Sequence, residues 1–226
     1  MTFRDLFDAP ERQILADDAV RVRLNEPYRT VFKRALDIAL VLVTLPIWLP
    51  LVLGMMAIVS LKGGRPIYRQ TRLGRDGRPF TMIKIRTMVP DADALLGPHL
   101  AADPDAHAEW STAQKLKRDP RITRIGQFLR KNSMDELPQL WNVLKGDMSL
   151  IGPRPMMTEQ RPLYPGTSYF DLRPGITGLW QISDRNETSF AERAEFDNAY
   201  HQSLSFKQDV VILLKTIGVV LRGTGY

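Results

Sequence analysis

Three rhythms of apolar and polar positions divide this chain of 226 residues into different kinds of element. From Ile38 to Leu61 the sequence IALVLVTLPIWLPLVLGMMAIVSL is apolar without a charged residue. At ~1.5 Å per residue a straight helix over this run would extend roughly 36 Å, enough to cross a bilayer. Ile67–Leu73 and Phe80–Ile85 instead alternate with period two about the turn dipeptide Asp76-Gly77, which predicts a β-hairpin. Two later segments repeat every three to four residues. In 121–131 (RITRIGQFLRK), Ile122, Ile125 and Leu129 share a helical face with Phe128 beside them; 206–222 is likewise amphipathic. Neither is long or apolar enough to span a membrane, and both suit a membrane interface or a protein core.

Pro46 and Pro50 change the reading of the long apolar run. Each removes an amide donor and presses on the carbonyl one turn earlier, so a bend or break is expected there. Thr44 and Trp48 flank that point, and a threonine hydroxyl can satisfy a loosened backbone group. Lys33 and Arg34 precede the run, while Lys62, Arg65, Arg69 and Arg72 follow it. Positive charge on both flanks fits a single crossing poorly, because Lys and Arg favour the cytoplasmic side. A re-entrant helix that dips into one leaflet and returns meets both observations; a single-pass helix is the alternative that length alone allows.

The predicted organisation is a polar lead over 1–30, a membrane segment over 31–62, and a cytoplasmic domain over 63–226. Within that domain 90–118 is a surface excursion of short helical pieces, its acids scattered among alanines and interrupted by Pro98 and Pro104. The lead has no apolar run after a basic start, so no cleavable signal is expected. The fold class is α+β and helix-rich: a proline-broken re-entrant helix, a small hairpin, and amphipathic interfacial helices around a cytoplasmic core.

Composition narrows the chemistry. The formal net charge is +6, which points to an anionic partner: phosphorylated substrate, anionic lipid or nucleic acid. The absence of cysteine excludes disulfides, thiolate nucleophiles and cysteine-based zinc sites. Eight basic residues face the single acid Asp76 between Lys62 and Arg86. They suit a strand pair resting on anionic lipid, or a phosphate site to which Lys84 and Arg86 contribute. His99, His107 and His201 are isolated along the chain and read as surface or packing residues. Trp141 and Trp180 read as core or interfacial anchors, and Asp147 as a helix-finishing residue.

The richest stretch is Lys131–Pro155, KNSMDELPQLWNVLKGDMSLIGPRP. Ser133 to Glu136 matches a capping box, a purely structural role. Pro138 would then fall deep in the first turns of the helix, whereas Asp135 as the cap puts it where amides are free anyway. In that register the Asp135 carboxylate meets free amides and stays ionised, able to attack phosphorus; Glu136 beside it offers an oxygen ligand to Mg²⁺. The residues alone leave capping and catalysis both open.

DELPQLWNVLKGDMSLIGPRP resembles the signature of the bacterial sugar transferases, the small monotopic phosphoglycosyl transferases. Similarity extends through KRALD (33–37), the proline-broken segment, IYRQTRLGRDGRPFTMIKIRTM, DPRITRIGQFLRK, PGITGLWQISDRN and a C-terminal F…D..Y…LSF…D pattern, about residues 31–222 apart from the 90–118 excursion. The resemblance implies that Asp135 is a nucleophile forming a covalent phosphosugar, and that Glu136 holds Mg²⁺. It places Arg154 and Arg185 near the substrate phosphates, where a planar fork binds two oxygens at once, and gives Lys84 a lesser part there. Pro46 or Pro50 marks the membrane kink. The implied reaction moves hexose-1-phosphate, with galactose or glucose favoured, from a UDP-sugar to undecaprenyl phosphate at the cytoplasmic face of the bacterial inner membrane. UMP is released and exopolysaccharide or surface-glycan assembly begins. Nucleic acid is not an expected partner; a homo-oligomer stays open. The competing reading is a non-catalytic, membrane-anchored basic binding or scaffold protein.

Overall fold

The computed structural model describes residues 27–61, 65–113, 116, 118–183 and 189–222; the lead up to residue 26, and Arg185, lie outside them. A π-helical turn (Tyr28–Phe32) runs into α1 (Lys33–Leu61). The helix continues through both prolines. Its buried side chains, Asp37, Val41, Trp48, Val52, Met55 and Val59, form one narrow stripe at three- to four-residue spacing. Pro46 and Pro50 lie on the exposed side. There the missing amides loosen the helix. On the buried side the Trp48 indole donates to the Val41 carbonyl two turns back (3.1 Å), while Thr44 Oγ1 donates to the Leu40 carbonyl (2.7 Å). The Trp48 bond thus lies on the buried side, and the Thr44 bond on the exposed side with the prolines.

β1 (Ile67–Leu73) and β2 (Pro79–Ile85) pair antiparallel with Tyr68 opposite Lys84. The expected hairpin is present, but its turn is wider than a two-residue one. Gly74 N–H closes on the Arg78 carbonyl at 2.7 Å, and Asp76 and Gly77 both take positive φ (58° and 70°). The excursion folds into α2 (Ala92–Ala102) and α3 (Pro104–Ala113). Asp103 caps the second by accepting from the amides of Asp105 and Ala106, both at 3.0 Å, and Pro104 opens it, where a missing amide is harmless.

The predicted 121–131 helix starts three residues later, as α4 (Arg124–Lys131), because Thr123 caps it through the Gly126 amide (3.0 Å). Ile122 is drawn into an antiparallel bridge with Met88 instead. Leu129 is buried, while Phe128 stays 62% exposed. α5 (Gln139–Lys145) follows a 3-10 turn over Met134–Glu136. Beyond it, β3 (Ser149–Ile151) pairs in parallel with β4 (Gly175–Thr177); the short α6 (Ser168–Asp171) lies between them in sequence, and α7 (Leu179–Ile182), α8 (Arg193–Ser203) and α9 (Phe206–Arg222) come after.

Three apolar clusters hold these pieces together. The largest joins the stripe of α1 to Met82 and Ile85 of β2, Leu129 of α4 and Val143 of α5. A second packs Tyr28, Ile151, Leu172, Tyr200, Leu204 and Ile212. The third, aromatic-rich, gathers Leu73, Met156, Tyr164, Tyr169 and Phe190. Buried polar bonds fix the start of α1. Asp209, fully buried, accepts from Tyr28 (2.6 Å), Lys33 (2.7 Å) and Tyr200 (2.6 Å), while Asp37 accepts from the Leu150 amide (3.1 Å). The KRALD and F…D..Y…D patterns therefore meet in space.

Gly126 is the tightest steric point between α4 and the hairpin. A Cβ there would lie 1.9 Å from the Thr87 carbonyl oxygen, so backbone must move to admit one. Gly126→Ala is expected to destabilise the protein by about 1–3 kcal/mol, read as a lowered midpoint in chemical denaturation of the detergent-solubilised protein; an unchanged midpoint contradicts this packing.

Candidate active site

The acidic pair does not cap a helix. Pro138 occupies the N-cap position of α5, and Asp135 and Glu136 sit one turn earlier in the 3-10 turn, which Ser133 enters at positive φ with no side-chain cap bond. The expectation that free helix amides hold Asp135 ionised is therefore corrected. A proline at the cap satisfies the same steric rule that favoured Asp135 there and shifts the helix start towards the C-terminus. Asp135 is buried (6% exposed), and burial pushes its carboxyl above the ordinary range, with neighbouring Glu136 adding to the rise. Lys84, Arg130 and Arg154 oppose that rise.

Glu136 behaves in the opposite way. Burial acts to raise it, but Lys84 Nζ at 2.8 Å and Arg154 at 3.1 Å from the same oxygen outweigh burial and hold it well below the usual carboxylate range. Lys84 is lowered by burial, against the pull of Glu136. Two adjacent carboxylates are thus driven apart in acidity by their surroundings.

The hairpin, α5 and the Pro-Arg-Pro ribbon supply these groups, and specific bonds set their positions. Asn142, fully buried in α5, accepts from the Ile83 amide (3.1 Å) and donates to the Thr81 carbonyl (2.7 Å), which locks α5 to β2 beside Lys84. Its amide also reaches the Asp147 carboxylate (3.1 Å), while α5 itself is ended by Gly146 at φ 93°. On the ribbon side, Arg193 donates to the Arg154 carbonyl (2.6 Å) and stacks against Trp180 and Phe190, 5.1 and 4.8 Å from the ring centres. Leu73 N–H binds the Met156 carbonyl (3.0 Å) and Arg72 the Pro155 carbonyl (3.3 Å), joining hairpin to ribbon. Behind Arg154, β3 and β4 touch backbone to backbone: a Cβ on Gly175 would lie 2.1 Å from the Gly152 nitrogen, and one on Gly152 2.3 Å from the Arg173 oxygen.

A cleft opens among Arg72, Met82, Lys84, Glu136, Gln139, Arg154, Pro155, Gly175 and Ile176. Lys84 and Arg154 therefore join Glu136 as the sequence suggested, although in the resting protein both bind Glu136 itself. Arg86 lies just past the end of β2, half-buried, its amide on the Pro66 carbonyl (2.8 Å). Arg72, Arg193 and Gln139 were not singled out by sequence. Gln139 carried a readable signal, since it falls in the DELPQ motif one turn after Asp135; Arg72 and Arg193 carried none beyond their charge.

Among the described residues, no three His, Cys, Asp or Glu side chains gather as metal ligands. The dyad fits only a cation that takes one or two protein carboxylates and completes its shell with water and substrate phosphate, as Mg²⁺ does.

The site is defined chemically by Glu136 lining a cleft rich in cations and by Asp135 buried next to it, outside the cleft lining, in a chain whose N-terminal helix is apolar enough to enter a membrane. The chain belongs to the bacterial sugar transferase family, which it matches over residues 28–223. It is 49% identical over 195 residues to the UDP-galactose-lipid carrier transferase of Erwinia amylovora, covering 85% of this chain and 41% of that protein. To the exopolysaccharide production protein ExoY of Rhizobium meliloti it is 43% identical over 202 residues, covering 88% and 89%. The undecaprenyl-phosphate galactose phosphotransferase of Salmonella typhimurium is 46% identical over 195 residues, covering 85% and 41%. The chain thus spans about two fifths of two of these relatives and nearly all of the ExoY protein.

Lys84 lowers Asp135 electrostatically, so Lys84→Gln is expected to move the Asp135 titration to still higher pH. Carboxyl-carbon NMR of aspartate-labelled protein, with Asp135→Asn for assignment, measures this; an Asp135 midpoint at the ordinary ~3.9 in the unsubstituted protein contradicts the burial argument.

Proposed function

We propose that this chain transfers hexose-1-phosphate from a UDP-sugar to undecaprenyl phosphate, at the cytoplasmic face of the inner membrane, as the first step of exopolysaccharide or surface-glycan assembly. The observation that carries the reading is the buried Asp135–Glu136 pair whose glutamate is held by Lys84 and Arg154. The names of the relatives supply the donor and acceptor classes.

In the first step an Asp135 oxygen attacks the phosphorus that bears the sugar. The bond from that phosphorus to the bridging oxygen breaks, and UMP leaves with the electron pair. In the second step an oxygen of undecaprenyl phosphate attacks the same phosphorus and releases the Asp135 carboxylate. Splitting one displacement into two lets donor and acceptor occupy the cleft in turn. Glu136 would hold the Mg²⁺ that neutralises the diphosphate, while Arg154, with Arg185 as a further candidate, orients its oxygens. Asp135 must be ionised to attack, and Lys84, Arg130 and Arg154 act toward that end.

The membrane arrangement that suits this chemistry is re-entrant. Both ends of α1 join the same body: Arg34 donates to the Val143 (2.6 Å) and Leu144 (3.0 Å) carbonyls, and β1 starts shortly after Leu61. Leu42, Val43, Ile47, Leu51, Leu53 and Ile58 form the exposed apolar side that lipid would cover, with the prolines among them. Exposed Phe128, Trp141 and Leu214 would rest at the same interface.

UMP release from a panel of UDP-sugars with undecaprenyl phosphate tests the activity. Asp135→Asn is expected to abolish turnover and to form no labelled-sugar adduct on the protein; a fully active Asp135→Asn enzyme refutes the nucleophile. EDTA should stop UMP release and added Mg²⁺ restore it.

A further inference from the structure

Lys84 and Arg154 are already engaged by Glu136, yet two other side chains that line the same cleft each carry a buried donor without a bond. Gln139 is 2% exposed, and its side-chain nitrogen has no hydrogen-bond partner. Arg72 is in the same state at Nε, although its other nitrogens reach Pro155 and Gln70 and so fix its guanidinium plane. Both side chains line the cleft with Lys84, Glu136 and Arg154. Buried donors are nearly always paired, and one left unmade weakens the folded state. Two in one opening, on different walls, call for an occupant with acceptors facing more than one direction.

We propose that Gln139 and Arg72 are additional phosphate-contacting residues, donating from Nε2 and Nε to non-bridging oxygens of the phosphoryl group that enters this cleft. A tetrahedral phosphoryl group presents such oxygens on several sides, whereas a sugar hydroxyl or a planar carboxylate offers fewer. Gln139 is well suited because it adds a donor without adding charge beside Asp135, whose acidity already depends on the local balance of cations. Arg72 remains cationic at neutral pH even though burial, with Arg154 and Arg193 nearby, brings its pKa to about 10. Donors preset toward the place where phosphoryl charge develops need no rearrangement during the displacement. The chemical step rests on the transferase reading; the binding of a phosphate-bearing anion does not.

Gln139→Met keeps the length of the side chain and removes the donor. Without ligand, its melting temperature is expected to equal or exceed that of the unsubstituted protein, because an unpaired buried nitrogen has gone. A glutamine that served packing or an internal bond would give a lower one. Inorganic pyrophosphate should raise the melting temperature of the unsubstituted protein, with roughly five- to tenfold weaker apparent affinity in Gln139→Met and in Arg72→Lys. Single-turnover UMP release should fall in Gln139→Met by about 10²-fold. Unchanged pyrophosphate affinity in both variants, or a destabilised Gln139→Met, overturns the proposal. If pyrophosphate protects the unsubstituted protein and not the variants, while no UDP-sugar is turned over, the cleft assignment stands and the transferase reading falls.

Discussion

Two neighbouring carboxylates cannot both be buried and both be charged unless cations are brought to them, and the architecture around Asp135 and Glu136 follows from that electrostatic demand. The cations come from far along the chain: Lys84 from the hairpin and Arg154 from the ribbon after β3. Bringing them together requires the hairpin to lie against α5, which Asn142 enforces, and the ribbon to fold back over the 3-10 turn, which Arg193 and the Leu73–Met156 bond enforce. One carboxylate takes nearly all the compensation and stays ionised. The other is left at the edge of it, raised by burial and by its charged neighbour. A group in that condition is a poor structural element and a responsive chemical one.

The same economy of buried charge governs the far side of the molecule. Asp209 gathers a lysine and two tyrosines, and through them the first residues before α1 are bound to α8 and α9. Breaking such a cluster from one side would strand a buried charge, which costs about 3–5 kcal/mol. The start of the apolar helix is therefore anchored by polar bonds, whereas its length is held by a single apolar stripe.

Local signals in the sequence were read with success where local physics decides the outcome. Alternation gave both strands of the hairpin, and the apolar face of 121–131 gave α4 and its buried Leu129. The excursion formed short helices as read, with Pro104 opening the second, but Pro98 lies inside the first rather than interrupting it. Misreadings arose where the deciding partner is distant. The helix start moved from Asp135 to Pro138 because both residues satisfy the same steric rule and the burial of the dyad, invisible locally, selects between them. α1 stayed helical through Pro46 and Pro50 although each leaves a carbonyl without its amide partner, and the Trp48 bond to Val41 beside them is a contact that spacing alone does not announce. Arg72 and Arg193 enter the site through strand and helix packing, and nothing in their immediate sequence separates them from ordinary surface arginines.

The main-chain contact between Gly152 and Gly175 has a consequence for how such a protein diversifies. Arg154 stands two residues beyond Gly152, on a ribbon pressed against its neighbour with no room for even one methyl group between them. The separation between that ribbon and β4 is consequently set by peptide thickness rather than by side-chain choice, and substitution at either glycine cannot widen it gradually. Arg154 can then vary as a side chain, while the main chain that carries it is inherited unchanged.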